Sequence, residues 1–269
     1  MSTAESQATR VVVNGGGVAV IELHRPEVRN AYNTQMGREL YEAFVRCNAD
    51  DSIRAVVLTG APPAFCAGAD LSRGTDTFGA PDPATFSATA LAMPVWEVRK
   101  PVVAAVNGHA IGLGFTLTLQ CDIRLFANDA SYGIVQVRRG VLGDAYSHWT
   151  LPRLVGHAAA AEIMLTGRTF DGHQAEAYGL GRSVPNDDVL PEAMRLAEEI
   201  ALHCAPLSLA ESKAILWSDL RTASAVAEAE TQAHLRIMGH SDAREAMAAY
   251  LERRRPVWTG SVSRELPAG

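Results

Sequence analysis

The chain has 269 residues, of which 48% are hydrophobic and 20% charged, and a net charge of −6. That suits one large globular domain with an ample apolar core, and it gives no basic footprint for nucleic acid. Cys47, Cys66, Cys121 and Cys204 lie far apart with no C-x-x-C pair, which argues against a metal site or a dithiol centre and fits a reducing cytoplasm.

Residues 1–9 are polar, lack a signal-peptide core and are expected to be disordered. No apolar run reaches the length of a membrane span. Two apolar segments, 9–13 and 18–23, flank Asn14-Gly15-Gly16-Gly17, a strong hairpin signal. Met36, Leu40 and Phe44 repeat at helical spacing over 34–49. Ile53–Leu58 is a short run, apolar apart from Arg54, hence a buried strand. Residues 64–71 form a loop of small residues, 72–83 a mobile surface segment, and 84–99 a helix ending before Lys100-Pro101.

Pro101–Val106 is again strand-like and stops at Asn107-Gly108. A loop with Gly108, Gly112 and Gly114 leads into a helix near 115–120 and a strand over 122–127. A short strand is expected within 130–137, then a helical stretch from Asp144 to Val155 that Pro152 must bend or restart. Helices follow near 157–166, 172–178, 188–204, 206–217, 222–238 and 242–254, with Asp242 and Glu245 resembling a capping box. The fold class is α/β: strands dominate the first half, helices the second, and the early units suggest ββα layering.

No G-x-G-x-x-G, phosphate loop, H-E-x-x-H or G-x-S-x-G occurs, and the eight histidines show no metal-ligand spacing. What remains is the pair of small-residue loops, 64–71 and 107–115. Each leaves a strand and opens a helix. If they converge, two backbone N–H groups meet at one point, the geometry of an oxyanion hole.

The segment Phe65-Cys66-Ala67-Gly68-Ala69-Asp70-Leu71, followed by Lys100-Pro101-Val102-Val103-Ala104-Ala105-Val106-Asn107-Gly108 and Cys121-Asp122-Ile123-Arg124, resembles the crotonase (enoyl-CoA hydratase/isomerase) superfamily. Arg25–Ala31, Leu165–Arg168, Ala175–Leu180 and Arg255–Trp258 agree with it, so the likeness covers roughly 10–260. The resemblance implies a ββα superhelical core, placed at 10–195, and a helical C-terminal trimerisation region, 196–269. It implies an acyl-CoA thioester as substrate, no permanently bound cofactor, and a cytoplasmic homotrimer or dimer of trimers with neither nucleic acid nor membrane as partner. By position it gives Ala67 and Leu113 as oxyanion donors. Arg29, Ala31, Ala69, Asp70 and Leu71 fall where the family holds coenzyme A.

The family's hydratases activate water with two glutamates, and their positions hold Thr116 and Gln136 here. Neither is a carboxylate. Asp144 stands instead in the segment where single-acid enoyl-CoA isomerases of the family carry their acid. It is read as a proton shuttle, or as the cap of the next helix. His148, four residues on, is either a second proton carrier on the same helical face or an ordinary hydrogen-bonded histidine. Arg138-Arg139 either meets an acidic acyl group or faces solvent. The resemblance thus points to double-bond isomerisation, with hydration, ring or C–C cleavage by hydrolysis, and silent acyl-CoA binding as alternatives.

Overall fold

In the computed structural model, which describes residues 7–266, the chain opens with the antiparallel hairpin β1 (Thr9–Val13) and β2 (Val18–Leu23). Asn14 Oδ1 closes the turn by accepting from Gly16 N and Val18 N at 3.0 Å each. Ala8 is buried and its carbonyl accepts from His24 N, so the packed chain begins before residue 10. The rest of the stretch expected to be disordered, residues 1–6, lies outside the described residues. Helix α1 (Thr34–Ala49) follows; Asn33 caps it by accepting from Met36 N, and Met36, Leu40, Phe44 and Cys47 bury one face.

From there the chain lays strands alternately into two sheets. Strands β3 (Ala55–Gly60) and β4 (Ala64–Cys66) come first, then β5 (Val102–Val106) and β6 (His109–Ile111). After α2 (Leu113–Thr118) come β7 (Ile123–Ala127) and β8 (Tyr132–Gly133). The odd-numbered members join β9 (Arg182–Val184) in a six-stranded sheet of order β1-β2-β3-β5-β7-β9, parallel beyond the hairpin. Strands β4, β6 and β8 form a second, parallel sheet. This is the expected ββα layering. Strands β3 and β5 are buried along their whole length, which explains why they read as continuous apolar runs rather than alternations.

The helical half comprises α3 (Ser147–Thr166), α4 (Gly172–Ala177), α5 (Val189–His203), α6 (Pro206–Trp217), α7 (Ala223–Ile237), α8 (Ser241–Glu252) and α9 (Val262–Glu265). Helix α5 runs through position 195 and packs on β3, β5 and β7, so the sheet layer takes in the first part of the region expected to be C-terminal. Leu207, Ala210 and Val262 make a smaller cluster of their own beyond it.

Three local expectations change. Residues 84–99 hold only a 3-10 turn, Val95–Glu97, because Pro94 interrupts them and no apolar face repeats there. The kink in α3 falls at Gly156 (φ 76°), not at Pro152. Asp242 opens no capping box: its carboxylate accepts from Thr259 N and Gly260 N, while Glu245 pairs with Arg254.

Lys100 ties the first helix to the sheet. Its buried Nζ donates to Cys47 O at 2.7 Å and Asn48 O at 2.8 Å, capping the end of α1. Lys100→Met is expected to lower the unfolding free energy by about 1.5–3 kcal/mol, the usual worth of hydrogen bonds from a charged group. A lower urea midpoint at unchanged slope is the expected reading, and an unmoved midpoint contradicts the account.

Candidate active site

Strands β4 and β6 are parallel neighbours, with Cys66 paired to Ala110. The loops that leave them therefore emerge at the same end. They lock together through two glycines. A Cβ on Gly68 (φ +96°) would lie 2.7 Å from Ile111 O, and one on Gly114 would lie 2.3 Å from Cys66 O. Only glycine lets the two backbones approach this closely.

Gly68, Ala69, Gly112 and Leu113 line a cavity of about 990 Å³. Leu113 opens α2, so its N–H has no intrahelical acceptor. Ala69 lies opposite Tyr32 in a parallel bridge whose two bonds use Gly68 O and Asp70 N, leaving its own N–H without an acceptor among the described residues. Ala67 is different. Its N–H donates to Arg29 O at 3.0 Å and is already used. On these two loops Ala69 and Leu113 thus each bring an unpaired N–H to a position that lines the cavity, and the expected donor Ala67, two residues before Ala69, does not.

Asp144 enters the same cavity from the segment before α3. Its Oδ1 accepts from Thr116 Oγ1 at 2.7 Å and from Gln136 Nε2 at 3.2 Å. Thr116 and Gln136 therefore both grip this one carboxylate through a single oxygen. Thr116 is presented by α2 and Gln136 by a 3-10 turn, Gln136–Arg139. Burial pushes the Asp144 carboxyl above the usual carboxylate range; the bonds from Thr116 and Gln136, and then the charge of His148, act against that rise. Asp144 is not a helix cap, because Tyr146 occupies that place and α3 begins at Ser147.

Rival proton carriers are poorly placed. Burial pushes Tyr32 up to about 12, and its hydroxyl donates to Ala90 O, so it stays a neutral phenol. Burial pushes the Cys66 thiol up to about 12 as well. Asp82 is exposed and accepts from Ala84 N in its own turn. His148 is exposed on α3 and does not line the cavity. The i,i+4 spacing does not bring it over Asp144, since the helix starts after the aspartate.

Of the five positions expected to hold coenzyme A, only Ala69 lines the cavity. Ala31 O and the Asp70 carboxylate both accept from Arg25 Nη1, at 2.6 and 2.7 Å, so Asp70 is spent on bracing its loop. Arg29 and Leu71 are exposed outside the lining. Among the described residues no His/Cys/Asp/Glu group is arranged to hold a metal, and no helix is long and apolar enough to cross a membrane.

Comparison with known proteins gives the family and the fold. The family model described as enoyl-CoA hydratase/isomerase matches residues 14–261. A probable enoyl-CoA hydratase of Mycobacterium leprae is 36% identical over 253 residues, covering 90% of this chain and 94% of that protein. An enoyl-CoA hydratase of Alternaria alternata is 32% identical over 243 residues, covering 89% of this chain and 82% of that protein. The crystal structure of a probable enoyl-CoA hydratase/isomerase from Mycobacterium abscessus superposes with a TM-score of 0.90 at 47% identity, covering 94% of this chain and 99% of that one. On the sequence match, the paired sheets and the interlocked loops together, this chain belongs to the enoyl-CoA hydratase/isomerase family of the crotonase superfamily.

Proposed function

We propose that the protein isomerises the double bond of an enoyl-CoA, with Asp144 as its one acid/base group. The observation that carries this reading is the grip of Thr116 and Gln136 on Asp144 Oδ1. It leaves Oδ2 for the substrate. In a 3-enoyl thioester the carboxylate removes a proton from Cα. The electron pair moves to the thioester oxygen, where Ala69 N–H and Leu113 N–H receive the charge. The same carboxyl then returns the proton to Cγ, and the C3=C4 bond becomes C2=C3. One group suffices because no water is added. Burial makes the carboxyl a stronger base and so a better partner for a weakly acidic C–H.

Coenzyme A is read as part of the substrate, with no cofactor held permanently. Arg29 and Leu71, exposed beside the 67–71 loop, are the positions proposed to meet its outer end. Exposed Leu216, Leu235 and Leu251 on the C-terminal helices, with Met238 just past one of them, support self-association as a trimer or dimer of trimers. The relatives are named hydratases, so hydration is the second reading. Against it, neither Thr116 nor Gln136 is able to activate water as a base.

The test is absorbance of the conjugated 2-enoyl thioester after mixing with a 3-enoyl-CoA. A rise is expected. Because the ionised carboxylate is the base, kcat/KM is expected to fall as pH drops through a pKa above the ordinary carboxylate range. A flat profile from pH 4 to 8 contradicts Asp144 as the base.

A further inference from the structure

The wall that carries Asp144 also carries a cation that the double-bond shift does not use. Gln136–Arg139 is one 3-10 turn, in which side chains three apart eclipse. Arg139 therefore stands over Gln136, about 6 Å along the turn at roughly 2.0 Å per residue. Both line the cavity, and Val141, Leu142 and Asp144 continue the same wall. Gln136, only 6% exposed, reaches Asp144 at the floor, while Arg139 is exposed toward the rim.

Among the described residues the Arg139 guanidinium has no carboxylate or carbonyl partner. Its neighbour Arg138 does: Nε donates to Thr166 O at 2.7 Å, and this side chain does not line the cavity. The two adjacent arginines thus differ in kind. One is tied to the backbone of α3, and the other is unpaired in the substrate cavity. A wholly apolar acyl tail along this wall would lie against an unpaired charge, whereas a carboxylate would meet a planar fork of donors that fits it.

We propose that the acyl group of the substrate ends in a carboxylate, paired with Arg139, so that the substrate class is the CoA thioester of a short dicarboxylic acid. This rests on reading Asp144 as the reacting group, which sets the direction in which the acyl chain runs.

The experiment is calorimetric binding of adipoyl-CoA, hexanoyl-CoA and free CoA to wild type, Arg139→Leu, Arg139→Gln and Arg138→Leu. The two thioesters differ only at the far end of the acyl group and neither can be isomerised. Their ranking therefore does not depend on turnover, and a protein that fails to shift double bonds can still show the preference. Wild type is expected to bind adipoyl-CoA about tenfold more tightly than hexanoyl-CoA, the lower range for a charge-assisted pair near solvent. Both Arg139 variants are expected to lose that preference with free CoA binding unchanged, and Arg138→Leu to keep it. Equal binding of the two thioesters by wild type overturns the proposal. So does an equal loss of all three ligands in the Arg139 variants, which would place the guanidinium on a coenzyme phosphate.

Discussion

Asp144→Asn is expected to lose turnover of a 3-enoyl-CoA by roughly 100- to 10,000-fold, the usual worth of a positioned acid/base group. Folding is expected to survive. The amide keeps an oxygen in the place of Oδ1, so Thr116 Oγ1 and Gln136 Nε2 retain their acceptor. Stability is the discriminating readout. Burial raises the folded-state pKa above the unfolded one. Between those two values the folded protein holds the extra proton, so stability is greatest below the ordinary carboxylate range and falls as pH rises toward the raised pKa. At neutral pH the ionised Asp144 therefore costs stability, and Asp144→Asn is expected to melt at or above the wild-type temperature. Loss of activity with a gain of stability marks a group kept for chemistry. Full activity, or inactivity through unfolding, contradicts the assignment.

Gly68→Ala is expected to lower kcat by roughly 100- to 1,000-fold, the cost of misplacing one oxyanion donor. Gly68 has φ +96°, and an added Cβ would sit 2.7 Å from Ile111 O. Relief requires the 67–71 loop to move away from the end of β6, and Ala69 N–H moves with it, since Ala69 is the next residue.

 
The bound substrate lacks the charge on the thioester oxygen, which develops on the way to the enolate, so the loss is expected in kcat more than in KM. The acid limb of the pH profile is expected to stay in place, because Asp144 hangs from a different segment. Steady-state kinetics on the variant decide the matter, and an unchanged kcat contradicts the role given to Ala69 and Leu113.

Much of this architecture is legible in the sequence. Strands β3 and β5 announce themselves as unbroken apolar runs because both faces are covered, and α1 shows its buried face as a 3.6-residue repeat. The two small-residue loops stand out in the sequence as a pair, and the parallel pairing of β4 with β6 is what makes them converge. The choice between Ala67 and Ala69 was not legible. It depends on which amide is consumed by Arg29 O, a contact that crosses from a distant loop. The role of Thr116 and Gln136 was hidden for a similar reason. The resemblance marks them only as positions without a carboxylate, and packing alone shows that both turn onto Asp144. His148 misled through its spacing, since four residues bring side chains together only inside a helix, and α3 starts at Ser147. Residues 84–99 misled through composition: alanines suit a helix, yet without a repeating apolar face they fold as turns along the cavity, where Ala88, Ala90 and Ala92 line it.

The central claim is that one carboxylate moves a proton and adds no water. The most direct measurement gives the protein a 3-enoyl-CoA and, separately, the matching 2-enoyl-CoA, and follows both by mass spectrometry with absorbance. The account predicts conversion of the 3-enoyl thioester to its conjugated isomer at unchanged mass, with little gain of water from the 2-enoyl thioester. Rapid hydration of the 2-enoyl-CoA with no conversion of the 3-enoyl-CoA would contradict it.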